Sequence, residues 1–244
     1  MERLKGKFRR ILGVYRRSRL LAAIVDETRW AWRVWVAPQK EMDQAHLRRD
    51  WDFEKPPEQK WHLHVLAVLV AQLGEEDWGD TLEIGCSAGG FTTYLARRCR
   101  SIAAYDFSPI ACGLTAERFA QYPNVRIGRL DLVKDDIPGQ YDLVFAMDVM
   151  ECIMTRRHRK LGAAAKLANA LRSGGLLVYT DCRLPKAVRG RWWLWWLPQQ
   201  ADEWAPILTS TPGLRLVFQE TYSPEGQSSP GYPEKIIALF RKEA

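Results

Sequence analysis

Long apolar runs, paired cysteines and a charge excess spread along the chain are all missing from this sequence. No apolar stretch approaches the roughly 18–20 residues that cross a bilayer. LLAAIV at Leu20–Val25 is too short for a signal-peptide core and runs straight into Asp26 and Glu27. The five cysteines, Cys86, Cys99, Cys112, Cys152 and Cys182, have no C-x-x-C spacing and an odd count. That argues against a disulfide framework or a structural metal and reads as reduced thiols in a cytoplasmic protein. No segment repeats another. The net charge of +7 is also less general than it looks, because residues 1–20 hold eight Lys/Arg against one acid. The remaining 224 residues balance 28 basic against 28 acidic side chains. A general nucleic-acid enzyme spreads positive charge over its working face, so a nucleic-acid substrate is disfavoured.

What is present suits one α/β domain of roughly 200 residues with an extension. Leu4, Phe8, Ile11, Leu12 and Tyr15 fall at helical spacing among Lys and Arg, and Trp30, Trp32 and Trp35 alternate beyond them. Residues 1–49 therefore read as a basic and aromatic helical extension. Its cations either face water or meet an anionic membrane surface or acidic partner through residues 1–20. After Pro56-Pro57, residues 58–73 read as a helix leading into the first strand, and strands and helices then alternate to Thr180. Residues 214–222 and 235–241 supply two final strands, with a turn-rich loop between them.

The most informative stretch is Thr81–Thr92, TLEIGCSAGGFT. An apolar strand carrying Glu83 runs into Gly85, Ser87, Gly89 and Gly90, and helix-compatible residues follow. A sharp strand-to-helix turn of small residues lets a ligand approach the backbone. The acid two positions before the first glycine suits a cationic or hydroxyl-bearing ligand better than a pyrophosphate. A second strand, SIAAYD, ends at Asp106, where a doubly wound sheet holds ribose hydroxyls. VRIGRLD brings Asp131 and Leu132 to the same carboxyl edge, YDLVFAMD ends at Asp148, and LLVYTD follows the turn Ser173-Gly174-Gly175.

In LEIGCSAGG, AYDFS, GRLDL, YDLVFAMDVMECI and LRSGGLLV, in that order, the chain resembles the class I methyltransferases that use S-adenosylmethionine (SAM). The resemblance covers about Asp50 to the C-terminus. It implies an α/β, Rossmann-like sheet of seven strands, mostly parallel with an antiparallel last strand, and helices on both faces. It also implies SAM as cofactor and a methyltransferase domain over residues 50–244. Glu83, Gly85 and Gly89 would surround the methionine and ribose parts of the donor. Asp106 would take the ribose hydroxyls, Phe107 would lie beside the adenine, and Asp131 and Leu132 would line the adenine edge. Met147 and Asp148 would approach the sulfonium. Asp106 also reads as a helix cap together with Ser108. RDWDFEKPPEQK upstream is similar to the rhizobial nodulation N-methyltransferases, which act on chitooligosaccharides. That likeness places Trp51, with Phe53, either as a cover on the donor site or as an anchor for the N-terminal segment.

Methyl transfer needs alignment and, where the acceptor is protonated, a proton acceptor. Cys152 stands where many relatives carry histidine, which removes an obvious base. Asp148 and Glu151 are the candidate catalytic residues, and Asp181 is a further one. His62, His64 and His158 read as packed or surface side chains. Trp192, Trp193, Trp195 and Trp196 fall in an aromatic insertion near 183–212, with Arg191–Trp204 read as an exposed cover over the acceptor. The expected acceptor is a small molecule methylated on O or N, with a sugar, aminosugar or natural-product intermediate foremost. An RNA or protein acceptor, or a domain that only binds SAM, is the alternative.

Overall fold

In a computed structural model, residues 33, 36–48, 56–75, 77–153, 155–182, 200–223 and 234–243 are described. The basic segment 1–20, Trp51, Phe53 and the tryptophans at 192–196 lie outside them. Helix α1 (Pro38–Arg48) and helix α2 (Pro56–Leu73) precede β1 (Asp80–Ile84). Then come α3 (Thr92–Leu95), β2 (Ser101–Asp106), α4 (Pro109–Arg118), β3 (Val125–Arg129) and β4 (Tyr141–Met147). A 3-10 turn (Met150–Cys152), α5 (Arg157–Asn169), β5 (Leu171–Cys182), α6 (Gln200–Thr209), β6 (Leu214–Tyr222) and β7 (Lys235–Lys242) complete the order. The seven strands form one sheet in the order β3-β2-β1-β4-β5-β7-β6. Every pair is parallel except those made by β7, which runs antiparallel to both β5 and β6. The seven-stranded sheet with an antiparallel last strand is therefore as expected.

The central strands are apolar throughout because both of their faces are covered. Along β4, Leu143 and Phe145 point one way and Val144 and Ala146 the other. The first pair packs with Trp61, Val65 and Leu69 of α2. The second packs with Ala163, Ala164 and Leu167 of α5 and with Trp204, Ile207 and Leu208 of α6. Local signals place the helices. Pro109 occupies the first turn of α4, and the Ser108 hydroxyl accepts the Ala111 N–H at 3.2 Å as its cap. No helix among the described residues is long and apolar enough to cross a membrane.

Chain direction fixes the site. β1 and β4 are neighbours, and the connections leaving their carboxyl ends diverge to opposite sides of the sheet, which opens a crevice there.

Two segments depart from the sequence reading. Helix α1, part of the stretch 1–49 read as an extension, packs on α4 beside the β2–α4 junction and brings side chains to the glycine turn. Trp204, read as the end of an exposed cover, is 1% exposed and sits in the core with the Lys160 ammonium 5.4 Å above its ring. It faces the sheet because α6 uses its apolar stripe to close that layer. Truncating so large a buried ring leaves a cavity. Trp204→Ala is expected to lower stability by about 3–5 kcal/mol, seen as a fall in the urea midpoint at unchanged slope. A loss below about 1 kcal/mol would show that the ring does not carry this layer.

Candidate active site

At the end of β1 the backbone turns through Gly85, whose φ is +80°. A Cβ there would lie 2.7 Å from Val149 Cγ2, so the turn passes beneath Val149 only as glycine. Ser87 follows, also left-handed at φ +52°. Its N–H donates to Asp106 Oδ2 at 2.9 Å, and the Ser108 N–H donates to Oδ1 at 2.8 Å. Asp106 thus ties the glycine turn to the start of α4. Burial raises its pKa, against those N–H bonds and the nearby His46 ring. Glu83 is buried beneath the turn and accepts a 2.7 Å bond from Thr92 Oγ1. Burial pushes its pKa up to about 7.

Helix α1 supplies a wall that sequence reasoning missed. His46 Nδ1 lies 3.4 Å from Ser87 Oγ, and Asp43 accepts the Ser108 hydroxyl. Burial lowers the His46 pKa more than Asp106 and Asp43 raise it. Across the turn, Asp131 accepts the Val133 N–H at 3.0 Å and pairs with Lys134 at 2.9 Å. The Arg129 guanidinium stands 5.8 Å over the Phe107 ring.

From this turn a cavity of about 1000 Å³ runs to the carboxyl ends of β4 and β5 and the amino end of β7. Asp148 forms its far floor, in a left-handed conformation at φ +49°. Its Oδ2 accepts from Trp61 Nε1 at 3.0 Å and from Lys235 Nζ at 2.6 Å, while Oδ1 accepts from Thr180 Oγ1 at 2.7 Å. Burial works against the charge. The Lys235 ammonium and the donated bonds outweigh it and hold the carboxylate below its usual range. Lys235 also lies 3.5 Å from Glu58. Beside this cluster, Glu151 lines the cavity and is hydrogen-bonded to the buried Asp181. Asp181 accepts from Tyr179 OH at 2.7 Å and from the Cys182 N–H at 2.8 Å. Burial first, and then the neighbouring Glu151, drive its pKa well up.

The cavity gathers Glu83, Gly85, Asp106, Phe107, Asp131, Leu132, Met147, Asp148 and Glu151, all chosen from the sequence. Gly89 is not among its lining residues. Its φ of +75° and the Phe119 ring, 2.6 Å from where a Cβ would sit, give it a packing role behind the turn. Asp148 is poorly suited to accept a proton, because three donors already hold its charge. Asp181 is fully buried and does not line the cavity, so it is not placed to act as a base on a bound acceptor. His62 does line the cavity. Packed edge-on against Phe91 and Tyr94, it is buried, and burial lowers its pKa to about 4 despite Asp148. Trp61, Lys235 and Thr180 were missed, since nothing in their local sequence marks a contact 87 or 32 residues away.

Comparison with known proteins agrees with this geometry. Residues 82–177 match the family model for a methyltransferase domain. The ribosomal RNA small subunit methyltransferase A of Shouchella clausii is 30% identical over 84 residues, which is 34% of this chain and 28% of that protein. Nodulation protein S of Azorhizobium caulinodans is 26% identical over 145 residues, or 59% of this chain and 67% of that protein. The crystal structure of the N-methyltransferase NodS from Bradyrhizobium japonicum WM9 in complex with S-adenosyl-L-homocysteine (SAH) superposes with a TM-score of 0.70. It is 24% identical, and the match covers 84% of this chain and 98% of that one. Residues 82–177 thus match a methyltransferase domain, set in a fold shared with NodS.

The cofactor is SAM, and the residues present fit it. Asp106, held by backbone N–H groups, keeps lone-pair capacity to accept from a ribose hydroxyl. Phe107 and Leu132 offer apolar surface for a flat base, and Gly85 keeps the approach open.

Glu83 generates a pH prediction. In the folded chain it keeps its proton up to about pH 7, whereas its ordinary value is 4.5. The native state therefore binds more protons than the unfolded chain between those values. Stability falls as pH rises through that window and levels off above it. Urea unfolding without SAM should show the wild type losing roughly 3 kcal/mol more than Glu83→Gln between pH 4.5 and pH 8. Parallel pH dependence of the two proteins would refute a raised Glu83.

Proposed function

We propose that this methyltransferase moves the methyl group of SAM to the amine nitrogen of a small molecule held at the Glu151 end of the cavity. One observation carries this reading: the cavity that begins at the glycine turn ends on a floor whose acids outnumber its cations. Among the described residues, Glu58, Asp148 and Glu151 line it together with Lys235, which pairs with Asp148 at 2.6 Å and lies 3.5 Å from Glu58. Bound at the turn, SAM supplies an electrophilic methyl on a sulfonium. An amine enters as a cation, so a net anionic floor attracts the acceptor as well as the donor's charged centre. An alcohol would instead need a stronger base than His62, which burial keeps neutral and weakly basic.

Roles divide accordingly. Asp148 stays ionised and oriented by Trp61, Thr180 and Lys235, and supplies fixed negative charge. Glu151, backed by the Asp181 carboxyl, accepts the ammonium proton and frees the nitrogen lone pair for in-line attack. Asp106, Phe107, Asp131 and Leu132 hold the nucleoside end of the donor, and Met147 borders its sulfonium. A structure that shares this fold is an N-methyltransferase, NodS, which supports nitrogen as the acceptor atom. The small acceptor belongs with sugars, aminosugars or natural-product intermediates, and the enzyme works in the cytoplasm or at a membrane surface.

The test combines SAH calorimetry with transfer from methyl-labelled SAM to free amino sugars and their N-acetylated forms. Transfer to the free amines alone is expected. Glu151→Gln should lower kcat/KM for the amine by about a hundredfold or more with SAH affinity retained. Tight SAH binding with label going only to RNA or protein would refute the small-molecule acceptor. Absence of SAH binding by the folded protein would refute the donor site itself.

A further inference from the structure

The exposed rim of the cavity carries basic side chains that the fold does not use. Arg156, His158 and Arg159 line the cavity and are exposed at the start of α5. Other cations near the cavity have partners: Lys134 pairs with Asp131, Lys160 with Glu203 at 2.6 Å, and Lys235 with Asp148. No carboxylate among the described residues pairs with Arg156, His158 or Arg159. Local structure does not favour them either. Positive charge in the first turn opposes the helix dipole, and the Arg156 side chain makes no capping bond.

The arrangement is therefore bipolar. Glu58, Asp148 and Glu151 stand at the floor, and two unpaired guanidinium groups and an imidazole stand at the rim, all in one cavity. We propose that Arg156 and Arg159, with His158 beside them, bind an anionic group of the methyl acceptor, a phosphate or a carboxylate. The substrate is then a small amine that also carries an anion. This rests on the amine-methylation reading above and names the substrate class for the same site. Guanidinium forks match both anions with two parallel hydrogen bonds, and partial enclosure strengthens such charge-assisted bonds. Size agrees as well. At about 1000 Å³ the cavity is at the upper end of the range for small-molecule sites, room for a donor and a small acceptor side by side. A nucleic-acid backbone would need a continuous cationic track, whereas residues 21–244 balance their charges.

The test is calorimetry on the full chain saturated with SAH, at constant ionic strength. Glucosamine and glucosamine 6-phosphate are the titrants, and inorganic phosphate is the competitor. The phosphorylated amine should bind at least about tenfold more tightly than glucosamine, and phosphate should compete with it. Arg156→Gln/Arg159→Gln should abolish the preference while SAH affinity and melting temperature stay at wild-type values. A wild type with no preference, or a double variant that keeps it, overturns the proposal. Should a single-stranded RNA bind more tightly than the phosphorylated amine, with affinity falling steeply as salt rises, the arginines belong to a nucleic-acid site and the proposal is wrong. Failure of SAH to saturate the protein is visible before any titrant is added and counts against the donor site instead.

Discussion

The partly buried carboxylate of Asp148 is the constraint on which the rest of the site depends. It sits at the end of β4, at the crevice where the sheet reverses its order, and accepts hydrogen bonds from α2 through Trp61, from β5 through Thr180 and from β7 through Lys235. A buried anion is costly unless paired and fully hydrogen-bonded, and here every donor comes from a different element. The network therefore holds the antiparallel β7 and the helix before β1 in register with the strand that borders the donor. Its left-handed backbone belongs to the same arrangement, because the Asp148 N–H reaches both the carbonyl and the hydroxyl of Thr180. With the carboxylate held by three donors, the base we propose is its neighbour Glu151.

The donor half follows from a second constraint, the close passage of Gly85 under Val149 and of the Ser87 N–H onto Asp106. These contacts bind the β1 turn to the end of β2, so the nucleoside-facing groups are positioned before any ligand arrives. Buried Glu83 props the turn from beneath through Thr92. Along the cavity the electrostatics then change sign, from paired acids at the floor to unpaired arginines at the rim. A pocket with that gradient orients a dipolar acceptor lengthwise and presents its cationic end to the methyl group.

Much of this was legible in the sequence because the fold writes it locally. Glycines at the β1 turn, acids at strand ends and continuous apolar runs such as YDLVFAM each reflect a nearby geometric need, and they placed Asp106, Asp131 and Asp148 on one edge. Contacts that depend on distant segments had no such signature. Lys235 reads as an ordinary polar start to a strand, and only the antiparallel return of β7 brings it within 2.6 Å of Asp148. Helix α1 reads as part of a separate extension, although its His46 and Asp43 stand against the donor turn. Trp204 reads as surface aromatic because its neighbours in sequence are tryptophans, whereas helical periodicity turns it inward. The role of Asp148 was misread for the same reason: position identified it as a candidate base, and only its partners reveal that its charge is already held.

The account is tested most directly by a carboxyl-carbon NMR titration of Asp148 in the full chain, assigned with Asp148→Asn. Held by Lys235, Thr180 and Trp61, the group should stay ionised at every pH down to below the ordinary carboxylate range, with and without SAH. A midpoint above that range would mean that the ion pair does not organise the floor, and would return Asp148 to the role of proton acceptor.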